Sequence, residues 1–386
     1  MKVCVSVHGR FHAFELAREL ERHGALSMLL STYPKSRTGV SRAVGAPWIE
    51  VWRRMVQALP VSAASTQVGI ARAFGRFAAA HLPAEADILV GWSGATLEAV
   101  PVARARGMRV VIERGSSHIK HQARILTEAY ARHGLTFAET PAEMIERECT
   151  EYAAADAIAV PSQFAARTFI DLGVDEAKLM INPYGVDLSL FQPSARPRET
   201  ARSRVLFVGG VGIRKGVPEL LTAFSSQGSQ AELHLVGPVE SAVRPLLTQG
   251  PGEGVFVRGP LSRTALAEAY RDAHIFCLPS WEEGFPLVLL QAMASGLPVI
   301  ASDATGAADI ITDGVDGLIV PAGDVAALEM RLSELIANPD RRRELGAAAR
   351  ARVAGGWGWQ AYGERALAHY QALMSNPVIV PSGQVE

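Results

Sequence analysis

Short apolar runs separated by helical patterns recur along the whole chain, and this alternation limits the fold more than any other feature. In the first half the runs are Val3 to Val7, Leu26 to Leu30, Ile88 to Val90, Val110 to Glu113, Leu135 to Ala138 and Ala157 to Val160. In the second half they are Val205 to Val208, Glu232 to Val236, Val255 to Arg258, Ile275 to Leu278, Val299 to Ala301 and Gly317 to Val320. Strands that read as near-continuous apolar runs and alternate with helices build parallel sheets covered on both faces. The rhythm therefore predicts an α/β protein with two largely parallel sheets. The length of 386 residues agrees, because single cores stop growing beyond about 250–300 residues.

The stretch PSARPRETARS, residues 193–203, is polar and carries two prolines, and reads as a linker. It divides the chain into a first domain of residues 1–192 and a second of residues 204–355. The glycines of AGGWGWQAYGERALAHYQAL lead into terminal helices over 356–375, and NPVIVPSGQVE leaves a tail at 376–386. Open α/β sheets place ligands at the carboxyl ends of their strands. If those edges face each other, the cleft between the domains is the expected site.

Charge bounds the partners. With 38 Lys and Arg against 39 Asp and Glu, the net charge of -1 gives no overall drive toward nucleic acid. Cys4, Cys149 and Cys277 lack metal-ligand spacing and are too few to staple the chain, which points to a reducing compartment. The opening MKVCVSVHGR meets histidine and arginine before any signal-like apolar region forms. No apolar run approaches the ~18 residues of a membrane span. The expectation is a cytoplasmic protein, with peripheral contact to a membrane a separate question.

The segment WEEGFPLVLLQAMASG, residues 281–296, carries the most chemistry. It follows the run Ile275 to Leu278 and opens a helix at Pro286, whose fixed φ and missing N–H suit a first helical position. The amides at that helix start can receive phosphate oxygens. Glu283 on the loop can accept sugar hydroxyls, and Gln291 can bond further hydroxyls from within the helix. Phosphate flanked by hydroxyl-bearing groups describes a nucleotide sugar. From these residues alone, the alternative that Glu282 and Glu283 only complement the helix dipole stays open.

A second segment, RVLFVGGVGIRKGVPELLTAF, residues 204–224, places Gly209, Gly210 and Gly212 after a strand and Arg214 with Lys215 at a helix start. Glycines permit close backbone approach, and the two cations can neutralise a diphosphate. The loop lacks the GKS or GKT ending of a Walker A motif. Gly237 ends the next strand, and Thr305 with Gly306 follows VIASDA; both turns can meet a donor, and a plain helix cap explains Thr305 equally.

The stretch EGFPLVLLQAMASGLPVIASDATGAADIITDGVDGLIVP resembles the donor region of the retaining GT-B glycosyltransferases of family 4, the group 1 glycosyltransferases. The resemblance implies GT-B architecture, two Rossmann-like domains with a facing cleft, the first binding acceptor and the second a nucleotide sugar. It implies a retaining hexosyltransferase-type enzyme acting in the synthesis of a cell-surface glycan, glycolipid or related conjugate. The nucleoside diphosphate sugar would be a substrate, with no cofactor and no metal. No convincing pair of acids suits a metal-held diphosphate.

Through the resemblance, Glu283 takes the place of the acid on donor-sugar hydroxyls, with Gly284, Phe285, Pro286 and Leu287 beside it in the donor motif. Gln291 stands where the family usually carries a ribose-binding Glu, so it keeps an acceptor oxygen but loses the charge. Lys215 matches the phosphate-contacting lysine. Gly210 replaces a common arginine, whose charge Arg214 can supply. His118, in VVIERGSSHIKHQ, corresponds to a histidine of the catalytic region, with Arg114 and Ser116 beside it as acceptor contacts. In VHGRFHAFELARELERHG the family's paired glycines are missing around Gly9, so His8, Arg10 and His12 read as acceptor contacts. A noncatalytic sugar-nucleotide-binding or membrane interaction module, or a sugar-nucleotide epimerase, is the alternative.

Residues 37–81 hold six arginines (Arg37, Arg42, Arg53, Arg54, Arg72 and Arg76) against Glu50, with Trp48, Trp52, Met55, Phe74 and Phe77 interspersed. One or two amphipathic helices on an anionic membrane would show this pattern. Two core-packed helices with solvated arginines would show it too.

Overall fold

The computed structural model describes residues 1–57, 63–138, 140–194, 202–227, 229–248, 250 and 252–375. These residues form two sheets. The first contains β1 (Val3–Val7), β2 (Leu26–Ser31), β3 (Ala43–Gly45), β4 (Ile88–Trp92), β5 (Arg109–Glu113), β6 (Ala157–Val160) and β7 (Leu179–Ile181), in the order β3-β2-β1-β4-β5-β6-β7. The second contains β8 (Ser203–Val208), β9 (Ala231–Val236), β10 (Val255–Gly259), β11 (Ile275–Leu278), β12 (Val299–Ser302) and β13 (Leu318–Val320), in the order β10-β9-β8-β11-β12-β13. Every pairing in both sheets is parallel. Both orders reverse beside a central strand, β1 against β4 and β8 against β11, which are the switch points where α/β sheets bind ligands.

Helices cover both faces of each sheet. Around the first lie α1 (Ala13–Arg22), α2 (Pro47–Gln57), α3 (Ala63–His81), α4 (Ala99–Ala105), α5 (Ile119–Arg132), α6 (Ala142–Ala154) and α7 (Gln163–Ile170). Around the second lie α8 (Val217–Phe224), α9 (Arg244–Thr248), α10 (Arg263–Asp272), α11 (Leu287–Ala294), α12 (Val325–Ala337) and α13 (Pro339–Ala354). Every residue of β1, β4 and β11 is buried, which is why these strands show no polar alternation. Among the described residues, no helix is long and apolar enough to cross a membrane.

The structure corrects one strand expectation. Leu135 to Ala138 is a loop, entered at Gly134, whose φ of +67° ends α5 in the left-handed region. Phe137 packs on Tyr130 with ring centroids 5.1 Å apart, while Leu135 is 40% exposed. A four-residue apolar run has no period to separate a strand from a loop that tucks in one aromatic. Two strands are additional: β3 and β7 are three-residue edge strands whose residues are all only half-buried. Within the 193–203 linker, residues 195–201 lie outside the described residues, as does the 376–386 tail.

The last helix, α14 (Trp359–Ser375), returns to the first domain. The Val186 N–H donates to Trp357 O at 2.8 Å, and Arg365 donates to Asn182 Oδ1 at 3.2 Å and to Pro183 O at 2.7 Å. Tyr362 and Tyr370 are buried beneath it. Helix α14 packs on α1 so tightly that a Cβ at Gly363 would lie 2.4 Å from Glu19 Cβ. Overpacking of this kind costs roughly 1–3 kcal/mol. Gly363→Ala is expected to lower the denaturant midpoint by a corresponding amount, and a wild-type unfolding curve would contradict the close packing of α1 and α14.

Candidate active site

The loops leaving both switch points converge on one cavity of about 540 Å³, within the roughly 300–1,000 Å³ span of small-molecule sites. The first sheet contributes His8, Phe11 and His12 after β1, Ser93 and Gly94 after β4, and Arg114 to Ser116 after β5. The second contributes Gly209, Arg214 and Lys215 after β8, and Glu283 with Phe285 to Val288 after β11.

Charges in the cavity come in pairs. Lys215 Nζ pairs with Glu283 Oε2, and Arg214 Nη2 lies 3.8 Å from Glu283 Oε1. Burial, then the neighbouring Arg214, brings the Lys215 ammonium down to about 7, while Glu282 and Glu240 pull the other way. On the opposite wall Arg114 Nη1 donates to both oxygens of Glu148, at 3.1 and 2.8 Å. Burial opposes the Arg114 charge, but Glu148, Tyr152 and Glu282 outweigh it and hold the pKa above the usual arginine value. Among the described residues, no group of three or more His, Cys, Asp or Glu side chains is placed to hold a metal ion.

Of the residues expected from sequence, the structure brings His8, His12, Arg114, Ser116, Gly209, Arg214, Lys215, Glu283, Phe285, Pro286 and Leu287 to this cavity. The His12 ring packs at a tilt against Tyr184 and Trp92, with centroids 4.0 and 5.0 Å away, and its Nε2 lies 3.5 Å from Glu113. Burial, then Arg53, lowers the pKa of His8 against the pull of Glu50.

His118 stands off the cavity wall rather than on it. It caps α5, its Nδ1 accepting from the Lys120 N–H at 3.1 Å, and its ring is only 4% exposed between Tyr152 and Phe169. Burial, then Arg114 and Lys120, lowers its pKa to about 4. A capping histidine and a site histidine read alike in sequence, since both follow a strand and open a helix. Arg10 also lies off the cavity wall, exposed, with its guanidinium 5.8 Å from the Phe14 ring centroid.

Four glycines expected at the donor, and Thr305, make packing or capping contacts in this structure. A Cβ at Gly237 would meet Gly209 O at 1.8 Å, so this glycine packs two strand ends together, and one at Gly210 would face Glu240 at 3.2 Å. Gly284 and Gly306 are points of contact between the domains: added Cβ atoms would lie 2.4 Å from Gly115 O and 2.8 Å from Ser162 Cβ, respectively. The Thr305 hydroxyl donates to Ser302 O at 2.8 Å and accepts from the Ala307 N–H at 3.1 Å, which is the cap reading. Gln291 stands one turn beyond Leu287 on α11, outside the cavity wall, with its Oε1 accepting from the Tyr270 hydroxyl at 3.1 Å.

Sequence reasoning missed several residues on or behind the wall. Glu282 has no exposed surface and is bonded by Ser116, Ser117, Gln122 and Arg214. Phe11 lines the cavity while 67% exposed, and among the described residues it is the one non-glycine at positive φ, +38°. The conformation is uncommon for a bulky side chain. The doubled acid in WEEGF was a signal for Glu282; Phe11 had none.

The fold defines the class. The chain superposes on sucrose-phosphate synthase of Thermosynechococcus elongatus with a TM-score of 0.69 and 22% identity, covering 96% of this chain and 98% of that one. It superposes on Anabaena HepE in complex with UDP with a TM-score of 0.71 and 14% identity, covering 96% and 100%. These likenesses place the two Rossmann-like domains among GT-B structures. In sequence, residues 191–352 match the family model described as "Glycosyl transferases group 1". A D-inositol 3-phosphate glycosyltransferase of Xylanimonas cellulosilytica is 32% identical over 220 residues, 52% of this chain and 53% of the relative. An MMP alpha-(1->4)-mannosyltransferase of Mycolicibacterium hassiacum is 32% identical over 56% of this chain and 54% of the relative. The chain thus spans about half the length of these two relatives. D-inositol 3-phosphate glycosyltransferase 1 of Catenulispora acidiphila is 30% identical over 78% of this chain and 77% of its own length. The chain belongs to the group 1 glycosyltransferases.

Lys215 gives the site a pH dependence. A phosphate beside it favours the ammonium form, so anion binding must take up a proton wherever free Lys215 is neutral. Binding of a diphosphate ester is expected to weaken as pH rises from about 7 to about 9, with proton uptake measurable by calorimetry in buffers of different ionisation enthalpy. Affinity that stays level across that range would show that Lys215 keeps its charge throughout.

Proposed function

We propose that the chain is a retaining glycosyltransferase of family 4 type, moving a hexosyl group from a nucleoside diphosphate sugar to an acceptor hydroxyl of a cell-surface glycan, glycolipid or related conjugate. The observation that carries this reading is the meeting of Lys215, Arg214 and Glu283 in one cavity between two switch points. A diphosphate competes with Glu283 for Lys215, and the released carboxylate is free to accept donor-sugar hydroxyls. The start of α11 at Leu287 and Val288 adds backbone N–H groups for phosphate oxygens. Gln291 is assigned to ribose from its place one turn along the same helix face.

In the reaction, the bond between the anomeric carbon and the phosphate oxygen breaks and a bond to the acceptor oxygen forms on the same face. The acceptor proton passes to the departing diphosphate. Lys215 and Arg214 stabilise the charge that develops on that diphosphate, and the surrounding walls hold water out. The acceptor lies against the first domain, where His8, Phe11, His12 and Trp92 offer an aromatic wall above Arg114 and Ser116. The likeness in fold to HepE with bound UDP supports a uridine nucleotide as the first donor to try.

Peripheral contact with the cytoplasmic face of a membrane belongs to the same proposal, assigned to α2 alone. On α2, Trp48 (56%), Val51 (56%), Trp52 (36%) and Met55 (63%) are exposed at helical spacing, with exposed Arg54 beside them. On α3, by contrast, Val68, Ile70, Phe74 and Ala78 are buried, so Phe74 belongs to the core. Apolar side chains on one helix face with arginine alongside suit an anionic bilayer.

Lys215→Ala and Glu283→Ala are each expected to cut transfer from the productive nucleotide sugar by ~100-fold or more with an unchanged circular dichroism spectrum. Wild-type transfer by both would remove the site from this cavity, and donor binding without transfer to any envelope acceptor would favour a noncatalytic binding module. Trp48→Ser with Trp52→Ser is expected to abolish most co-sedimentation with phosphatidylglycerol vesicles. Undiminished sedimentation would exclude α2 as the membrane face.

A further inference from the structure

Glu282 and Glu283 are adjacent in sequence but face different tasks. The backbone at Glu283 is extended and bridged to Thr305, its N–H donating to Ala304 O at 3.3 Å and its carbonyl accepting from the Gly306 N–H at 3.1 Å. In extended chain, successive side chains fall on opposite sides. Glu283 reaches Lys215 in the cavity, and Glu282 turns into the other domain.

There Glu282 Oε1 accepts from Ser116 Oγ at 2.8 Å, the Ser117 N–H at 2.9 Å and Ser117 Oγ at 2.8 Å. Its Oε2 accepts from Gln122 Nε2 at 2.8 Å and Arg214 Nε at 3.1 Å. Four of the five donors belong to the first domain. Burying a carboxylate costs several kcal/mol unless its lone pairs are satisfied, and separation of the domains would remove those four bonds at once. Burial alone raises the Glu282 pKa, but Arg214, Gln122 and Ser117 outweigh it and bring the group down to about 2.

The contact also controls Arg214. Its Nη2 donates to Ser116 Oγ at 3.3 Å while its Nε holds Glu282, so the guanidinium is fixed by groups from both domains. Gln122 extends the connection: its Oε1 accepts from Arg114 Nη2 at 2.9 Å, and Arg114 is held by Glu148. A continuous series, Glu148 to Arg114 to Gln122 to Glu282 to Arg214, thus joins the acceptor wall to the phosphate loop.

We propose that Glu282 is a positioning residue: its carboxylate latches the two domains and sets Arg214 at the cavity only when they are closed. The effect on transfer rests on the glycosyltransferase reading, whereas the latch itself does not. Vacating Glu282 would leave Arg214 held by Ser116 and Glu283 alone, and displacement of a charged group by about 1 Å can cost ~100-fold in rate.

The test is Glu282→Gln, which keeps the size and removes the charge, combined with Gln122→Glu, which restores a donor facing an acceptor with the polarity reversed. Small-angle scattering and label distances across the cleft, measured without nucleotide and with UDP, are expected to show the single variant more open and the double variant closed again. With UDP-glucose or GDP-mannose, whichever the wild type uses, kcat should fall ~10–100-fold in the single variant while affinity for the matching nucleoside diphosphate changes less than ~3-fold. Partial recovery is expected in the double variant. Wild-type scattering in Glu282→Gln, or no recovery on adding Gln122→Glu, overturns the latch. If Glu282→Gln does not fold, Gln122→Ala removes one donor from the opposite side and is read the same way. A wild-type protein that transfers no sugar would count against the functional reading alone, because scattering still decides the latch.

Discussion

At Gly284 the two halves of the molecule meet backbone against backbone. A side chain there would place its Cβ 2.4 Å from Gly115 O and 2.5 Å from Ser116 Cα, and one at Gly306 would fall 2.5 Å from Gly284 O and 2.8 Å from Ser162 Cβ. Ser162 Oγ closes the same contact by donating to Gly284 O at 2.6 Å while capping α7. Because the loop after β11 is pressed this far into the first domain, Glu282 can reach Ser117 and Gln122, and Glu283 can face the cavity. The glycine of the donor motif thus serves the closure of the domains, and the ligand wall is a consequence of that closure.

The pairing of charges follows from the same geometry. Lys215 is answered by Glu283, Arg214 by Glu282 and Arg114 by Glu148; the first and last pairs are largely buried, whereas Arg214 is 32% exposed. Such pairs earn modest net stability, because desolvation offsets most of the attraction. Their value lies in selection. A diphosphate is charged enough to compete for Lys215, whereas a neutral sugar is not. Arg114, held in two bonds by Glu148 and a third by Gln122, is much less available to a ligand than Lys215, so the two walls differ in the charge they tolerate.

The architecture was legible because buried parallel strands write themselves as unbroken apolar runs, and β1, β4, β8 and β11 are all of that kind. The edge strands β3 and β7 escaped because their three residues are each only half-buried, and Leu135 to Ala138 misled because one half-buried phenylalanine mimics a strand. In the site, Lys215, Arg214 and Glu283 were legible as charge placed beside glycine and a helix start. The packing of the His118 ring against Tyr152 and Phe169 was not, since sequence spacing is the same whether that ring faces the cleft or the core. Gly284 and Gly306 were recognised as motif residues but not as contact points, because a close approach between residues far apart in sequence leaves only a missing Cβ as its trace.

Helix α3 connects the two proposals about substrates. Its Gln67 and Ala71 line the cavity, while Gly69 lies against Trp52 of α2, where an added Cβ would sit 3.6 Å from the indole. The exposed apolar stripe of α2 and the acceptor wall are therefore separated by the thickness of one helix. If the stripe rests on a bilayer as proposed, an acceptor anchored in that bilayer needs to extend only past α3 to bring a hydroxyl beside His8 and Phe11. A water-borne acceptor would gain nothing from a tryptophan-bearing helix in that place, so the location of the stripe, more than its composition, favours a lipid-linked acceptor.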